Sequence, residues 1–147
     1  MNEPTSFLLH RVIVAMDTYA DQLLRRDHGV TFATFSFLAV AAAMPGADVT
    51  SLAQGAGMSK AAASKRIPPL VRDGYLTAEP DPHHGRRLRI VPTPRAYALV
   101  QAAGARLEAE FSDLFTLDAR LDEPALRRQL ETLAGVLGLP ATPGDQP

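Results

Sequence analysis

Residues 49–76 read VTSLAQGAGMSKAAASKRIPPLVRDGYL, and the reading of this stretch decides the fold. Asp48-Val49-Thr50 is a short extended lead-in, and Thr50 can cap a helix of about two turns over SLAQGAG. Gly55 and Gly57 make a tight exit. Ser59 can cap a second helix, KAAASKRI. Two short helices joined by a glycine-containing turn describe a helix-turn-helix, whose second helix enters a major groove N-terminus first. A helix packed on DNA brings its backbone close to base edges. Ala61, Ala62 and Ala63 permit that approach, while Ser59, Lys60, Ser64, Lys65 and Arg66 supply donors. A cap at Ser59 also leaves backbone N–H groups where a phosphate can sit. The bland alternative is an alanine-rich surface helix, good in propensity and nothing more.

Charge supports the first reading. Residues 59–95 hold Lys60, Lys65, Arg66, Arg72, Arg86, Arg87, Arg89 and Arg95 against Asp73, Glu79 and Asp81, a net of +5. The remainder of the chain carries -6, so an overall charge of -1 conceals a basic middle in an acidic frame. A localised footprint of this kind is expected of a nucleic-acid reader. The alternative is a chance imbalance on a solvated face.

After Gly74 the apolar period changes to two. Tyr75–Glu79 reads as a strand and Arg87–Val91 as its partner, with the turn-rich PDPHHGR as the tip between them. The partner strand places Arg87, Arg89 and Val91 on one face and Leu88 and Ile90 on the other. A basic hairpin after a helix-turn-helix is a wing. Its tip can lay arginine into a narrow minor groove, where the negative potential is enhanced.

Upstream, Leu8, Leu9, Val12, Met16, Tyr19, Ala20 and Leu23 have helical spacing, with Ser6 as the expected cap and His28-Gly29 as the end. Thr31 can cap a second helix through Phe35, Leu38 and Ala42, which stops before Pro45-Gly46. Downstream, Thr93-Pro94 caps a long helix with the stripe Leu99, Val100, Ala103, Leu107, Phe111 and Leu114. Asp122 caps a last helix with Leu126, Leu130, Leu133 and Leu137. Residues 140–147 read as a disordered tail.

The chain has 147 residues, 46% of them hydrophobic, which suits one domain with a sizeable core. It has no Cys, so disulfides and thiolate metal sites are excluded. The longest apolar run, residues 35–44, is too short to span a bilayer. The expectation is a soluble, cytoplasmic protein.

The order helix, helix, helix-turn-helix, winged hairpin, long helix, helix resembles the MarR family of bacterial transcriptional regulators. The resemblance covers roughly residues 6–138. It is carried by the stretch quoted above and by EPDPHHGRRLRIVPT at 79–93, with LVRDGYL followed by DP…GRR…PT as its more specific part. It implies a fold that is mainly α with a small β-hairpin wing: a single domain over 1–147, with dimerisation helices at 6–28 and 94–138 and a winged helix-turn-helix lobe at 31–93. It further implies a homodimer on double-stranded DNA at a pseudo-palindromic operator. The function implied is repression or activation, with repression expected here, modulated by a small, often aromatic effector and needing no cofactor. The DNA-contacting set is Thr50, Ser59, Lys60, Ala62, Ser64, Lys65, Arg66, Arg86, Arg87 and Arg89. In the family's pocket region, His10, Tyr19 and Phe37 would line a ligand cavity; the alternative places these rings in the core or the dimer interface.

Two departures from the family pattern stand out. His84 occupies the wing position where the family most often has Asp before Gly-Arg. That Asp commonly braces a wing arginine. Arg87 is then expected at the minor groove and Arg86 near phosphate. Pro68-Pro69 predicts a kink or break near Ile67. Each proline lacks an N–H and crowds the carbonyl four residues back, at about 3 kcal/mol in a helix interior. In that case Leu70 and Val71 pack inward as a separate turn; a slightly bent helix is the alternative.

His83-His84 with Asp81 is a weak metal candidate, because adjacent strand residues point to opposite faces. No nucleophile triad, phosphate loop or carboxylate pair stands out, so no enzyme is expected. Two other readings remain. One is a DNA binder of this fold without a small ligand, controlled by a protein partner. The other is an interaction module that has lost DNA binding.

Overall fold

The computed structural model describes residues 3–139, so the expected tail at 140–147 lies outside the described residues. Its elements are α1 (Thr5–His28), α2 (Phe32–Ala43), α3 (Val49–Gly55), α4 (Lys60–Arg72), β1 (Leu76–Asp81), β2 (His84–Pro92), α5 (Pro94–Leu114) and α6 (Glu123–Val136). The fold is mainly helical, with one antiparallel hairpin as the wing of a winged helix-turn-helix. The chain divides into two units, and the division falls within α5 between Gly104 and Ala105.

Local chemistry explains most helix ends. The Thr31 side chain accepts from the Thr34 N–H at 3.0 Å, and Asp122 accepts from the Ala125 N–H at 2.8 Å. Gly29 closes α1 with φ of 68°, a left-handed conformation that glycine adopts without penalty. Two expected caps are corrected. Helix α1 begins at Thr5, not after Ser6; the Pro4 carbonyl receives the Phe7 and Leu8 N–H groups, and no side chain caps this end. Helix α3 is capped by Asp48, not Thr50: Asp48 accepts from the Ser51 N–H at 2.8 Å. The reason is a long-range pairing. Gly46 N–H donates to the Ile90 carbonyl and Ile90 N–H donates to the Ala47 carbonyl, both at 2.9 Å. The chain is therefore extended only to Ala47, and the helix begins two residues earlier than local reading allows.

The first unit closes around Leu24, Phe37, Leu38, Leu52, Leu76 and Ile90, all fully buried. Burying side chains of this size contributes about 1.5–3 kcal/mol each. Helix α4 adds Ala63, Ile67 and Leu70, at the i, i+4, i+7 spacing of one helical face. Gly55 is helical and permits the close packing of α3 on α2. A Cβ there would lie 2.9 Å from Val40 Cγ1 and 3.0 Å from Met44 Sδ. Val40 is β-branched and stiff in a helix. Gly55→Ala is therefore expected to destabilise the protein by about 1–2 kcal/mol, since overpacking outweighs the roughly 1 kcal/mol of helix propensity gained. Urea denaturation checks this; a more stable variant would refute the packing argument.

The expected break at Pro68-Pro69 does not occur: α4 runs unbroken from Lys60 to Arg72 with both prolines inside it. Both are exposed, so the Ser64 and Lys65 carbonyls that lose their helical donors lie on the side where water can replace them. Buried Ile67 and Leu70 hold the opposite face in helical register. Leu70 packs inward as expected, whereas Val71 is exposed.

The hairpin is longer than its sequence pattern. Pairing runs from Leu76 opposite Pro92 to Asp81 opposite His84, with a shift in register at Pro80/Asp81, so the turn contracts to Pro82-His83. Tyr75 precedes the first strand. The Asp81 side chain accepts from the His83 N–H at 2.9 Å and fastens the turn. Pro80 is tolerated because a two-stranded sheet has only edge strands. Ile90 is buried, but Leu88, on the same face, is exposed because it lies beyond the edge of the core.

In the second unit, Asp122 caps α6, the Phe111 and Phe115 rings meet edge to face at 5.2 Å, and Ser112 Oγ donates to Glu123 Oε1 at 3.3 Å. No residue of α6 is buried. Leu126, Leu130, Leu133 and Leu137 are all exposed, and Val136 is 80% exposed. The N-terminal part of α1 is similar: Phe7, Leu8, Leu9, Val12, Ile13, Val14 and Met16 are exposed, Phe7 at 65%. No helix among the described residues is long and apolar enough to cross a membrane.

Candidate nucleic-acid interface

The turn between α3 and α4 is made by Gly57, at φ of +64°, with the Met58 N–H donating to the Ala53 carbonyl at 3.0 Å. Ser59 then caps α4, accepting from the Ala62 N–H at 3.1 Å. With Ala63 and Ile67 fixed inward, helical geometry sends Ala61, Ser64 and Lys65 outward, and Lys60 is exposed as the first residue of the helix. Ala62 and Arg66 are half-buried, and Thr50 is exposed in the first turn of α3. Of the three alanines expected to permit close approach, Ala61 is exposed and Ala62 partly so. Ala63 is a core residue instead.

The eight basic side chains of the middle segment separate into two groups. Among the described residues, Lys60, Lys65, Arg66, Arg72 and Arg86 make no side-chain hydrogen bond or ion pair. Three others are drawn toward the protein. Arg87 Nη1 lies 3.9 Å from Asp48 Oδ2, Arg89 passes close over Gly46, and Arg95 donates to the Asp73 carbonyl. Five cations are thus uncommitted on α4 and the wing.

Asp48 is an acidic residue beside these cations, and the sequence alone does not mark it for that place. The only local signal was its three-residue spacing to Ser51, a capping spacing. Hydrogen bonds from the Ser51 backbone and side chain hold its carboxyl below the ordinary 3.8, and the charges of Arg87 and Lys60 act in the same direction. Asp81 is lowered first by the His83 N–H, then by the charges of His84, His83 and Arg89. A carboxyl lowered in the folded state adds stability above its unfolded pKa and loses it as pH falls through the folded value. Asp48→Asn, which preserves a cap but not the charge, should therefore flatten the stability profile below pH 3.8. Asp48→Ala should cost about 1 kcal/mol near neutrality through loss of the cap. Urea melts from pH 2 to 7 check both, and an unchanged acid limb in the Asn variant would count against the assignment.

His10, Tyr19 and Phe37 are not brought together within the first unit. Phe37 is 1% exposed in the core, while Tyr19 is 51% exposed on α1. His10 lies on the exposed part of α1, nine residues and about two and a half turns from Tyr19. Among the described residues, no group of three or more His, Asp or Glu is placed to hold a metal ion.

The helix-turn-helix with its hairpin defines a winged-helix protein. Residues 28–87 match a family model described as MarR family. No curated protein matches the chain. Among solved structures, the chain is similar to the Mycobacterium tuberculosis MarR family protein Rv2887 in complex with salicylic acid. Identity is 25%, over 92% of this chain and 97% of that one, with a TM-score of 0.68. It is similar to S. aureus MepR in a complex with DNA at 20% identity, over 93% and 98% of the chains, with a TM-score of 0.75. A MarR family regulator from Rhodococcus sp. RHA1 is 21% identical over 92% and 96%, with a TM-score of 0.76. The winged segment thus matches the MarR family model, and the fold is shared along nearly the whole chain with solved structures of MarR family proteins.

Proposed function

We propose that the protein binds double-stranded DNA as a homodimer at a pseudo-palindromic operator and acts as a repressor whose affinity a small aromatic ligand modulates. The observation that carries this reading is the set of five uncommitted cations on α4 and the wing of a winged helix-turn-helix. In this reading Ser59, Lys60, Ser64, Lys65 and Arg66 face the major groove, with Thr50 and Arg86 near phosphate and Arg87 at the minor groove. Arg89, lying over Gly46, supports the wing more than it contacts DNA. The exposed apolar side chains of α1 and α6 support self-association, because apolar patches of this extent mark interaction surfaces. The helices at 6–28 and 94–138 then serve dimerisation, and the lobe at 31–93 reads the operator. The salicylic acid complex of the Mycobacterium tuberculosis relative supports an aromatic effector. In a dimer, His10 and Tyr19 would reach such a ligand from α1, with Phe37 as core behind it.

The test is binding to the duplex upstream of the protein's own gene, against a scrambled duplex, across a salt series. Tighter binding to the upstream duplex, falling steeply with salt, is the expected result. No binding to either duplex at low salt would remove this reading and leave an interaction module. A rise in melting temperature with salicylate tests the ligand, since a ligand selective for the folded state must stabilise it.

A further inference from the structure

We infer that Arg95 is a positioning residue: it ties the C-terminal end of the recognition helix α4 to the first turn of α5, and its charge is not used on a phosphate. The inference rests on the DNA-binding reading for its functional consequence, but not for the clasp itself.

A helix leaves its last carbonyls without intrahelical donors. At the end of α4, the Asp73 N–H donates to Pro69, the Gly74 N–H to Val71 and the Tyr75 N–H to Leu70, at 2.9–3.1 Å. That turn exposes three further carbonyls, those of residues 73, 74 and 75. All three are met by the two residues flanking Pro94. Arg95 Nη1 donates to the Asp73 carbonyl at 2.7 Å. The Thr93 hydroxyl donates to the Gly74 carbonyl at 2.7 Å and lies 3.2 Å from that of Tyr75. The Thr93 N–H completes the set, donating to the Tyr75 carbonyl at 3.0 Å. Thr93 Oγ1 also accepts from the Ala96 N–H at 3.3 Å, so the residue that begins α5 is the one that receives the end of α4.

Arg95 is held from a second direction. Its guanidinium carbon sits 4.5 Å from the centroid of the buried Tyr75 ring, a cation–π contact. A planar guanidinium can stack on a ring and donate in its own plane at once; a lysine ammonium cannot. Gly74 makes the turn at φ of +77° with the arginine beside it. Arg95 therefore differs from Lys60, Lys65, Arg66, Arg72 and Arg86, whose heads have no such partner among the described residues. It also differs in consequence. Helix α4 is buried along Ala63, Ile67 and Leu70, and the clasp fixes its far end to the helix that leads out of the lobe.

Arg95→Lys and Arg95→Ala, in the full chain, separate positioning from phosphate contact. The readouts are operator affinity, its salt dependence and amide hydrogen exchange in the free protein. If Arg95 positions α4, both variants lose about five- to tenfold in affinity, the order of the net contribution of one hydrogen bond. Their salt slopes stay at the wild-type value. The amides of residues 73–75 exchange faster in both. If Arg95 contacts phosphate, Arg95→Lys binds as wild type, and Arg95→Ala lowers the slope by about 0.9 for each copy of the side chain. Exchange is then unchanged, and the inference is overturned. Should Arg95→Ala fail to fold, Arg95→Lys still carries all three readouts. Should wild type bind no DNA, the functional reading fails by itself while exchange still decides the clasp.

Discussion

Alanine at both Arg86 and Arg87 is expected to weaken operator binding by about 100-fold at physiological salt, an effect of about 2.7 kcal/mol. A homodimer presents both wings, so the double variant removes four guanidinium groups. If each neutralises one phosphate, the slope of log affinity against log salt becomes shallower by as much as about 3.6. The two single variants should differ. Among the described residues Arg86 has no side-chain hydrogen bond or ion pair, whereas Arg87 lies 3.9 Å from Asp48, which offsets part of its charge. Arg86→Ala should therefore cost more affinity and more slope than Arg87→Ala. Fluorescence anisotropy on the operator across a salt series measures both quantities. Neither residue belongs to the buried core, so the dimer and the melting temperature should be retained. A double variant that binds like wild type, still as a dimer, would mean that the wing is not used on DNA.

Aspartate at both Leu130 and Leu133 should convert the protein to a folded monomer at micromolar concentration. The leucines at 126, 130, 133 and 137 recur every three or four residues along α6, which defines one apolar stripe, and all four are exposed. Against a second copy, the substitution would bury four unpaired carboxylates, each at a cost of several kcal/mol. Within one chain neither side chain belongs to the buried core, so the helix should be retained. Operator affinity should fall by about two orders of magnitude or more, because the second half-site is no longer held at high effective concentration. Analytical ultracentrifugation gives the mass, and circular dichroism the fold. An intact dimer in the double variant would move the interface off α6 and leave α1 as the remaining apolar surface.

Much of this was legible in the residues because much of it is local. A cap is a side chain and an N–H three positions away, so Thr31, Ser59 and Asp122 announce their helices within a few letters. The glycine turn and the switch from helical to period-two spacing have the same short range. They place the helix-turn-helix and wing in order. The misreadings share a different range. Thr50 reads locally as a cap, but Ile90, some forty residues later, pairs with Ala47 and shifts the duty to Asp48. Leu88 and Ile90 look equivalent in alternation, yet the core reaches only Ile90.

Pro68-Pro69 is the sharpest case. Local propensity alone, at about 3 kcal/mol for a proline in a helix interior, argues for a break. Tertiary burial of Ala63, Ile67 and Leu70 outweighs it, and the orphaned carbonyls face water. The basic footprint divides in the same way. A sequence counts eight cations between residues 59 and 95 but treats them alike. Which side chains the protein itself engages depends on neighbours that folding brings up: Asp48 for Arg87, Gly46 for Arg89, and Asp73 with Tyr75 for Arg95. The elements, their order and the basic segment are legible in the residues, since these follow from interactions within a turn or two. The tertiary structure alone decided which charges stay free and which residues hold the reading helix, because those are settled by contacts between residues far apart in the chain.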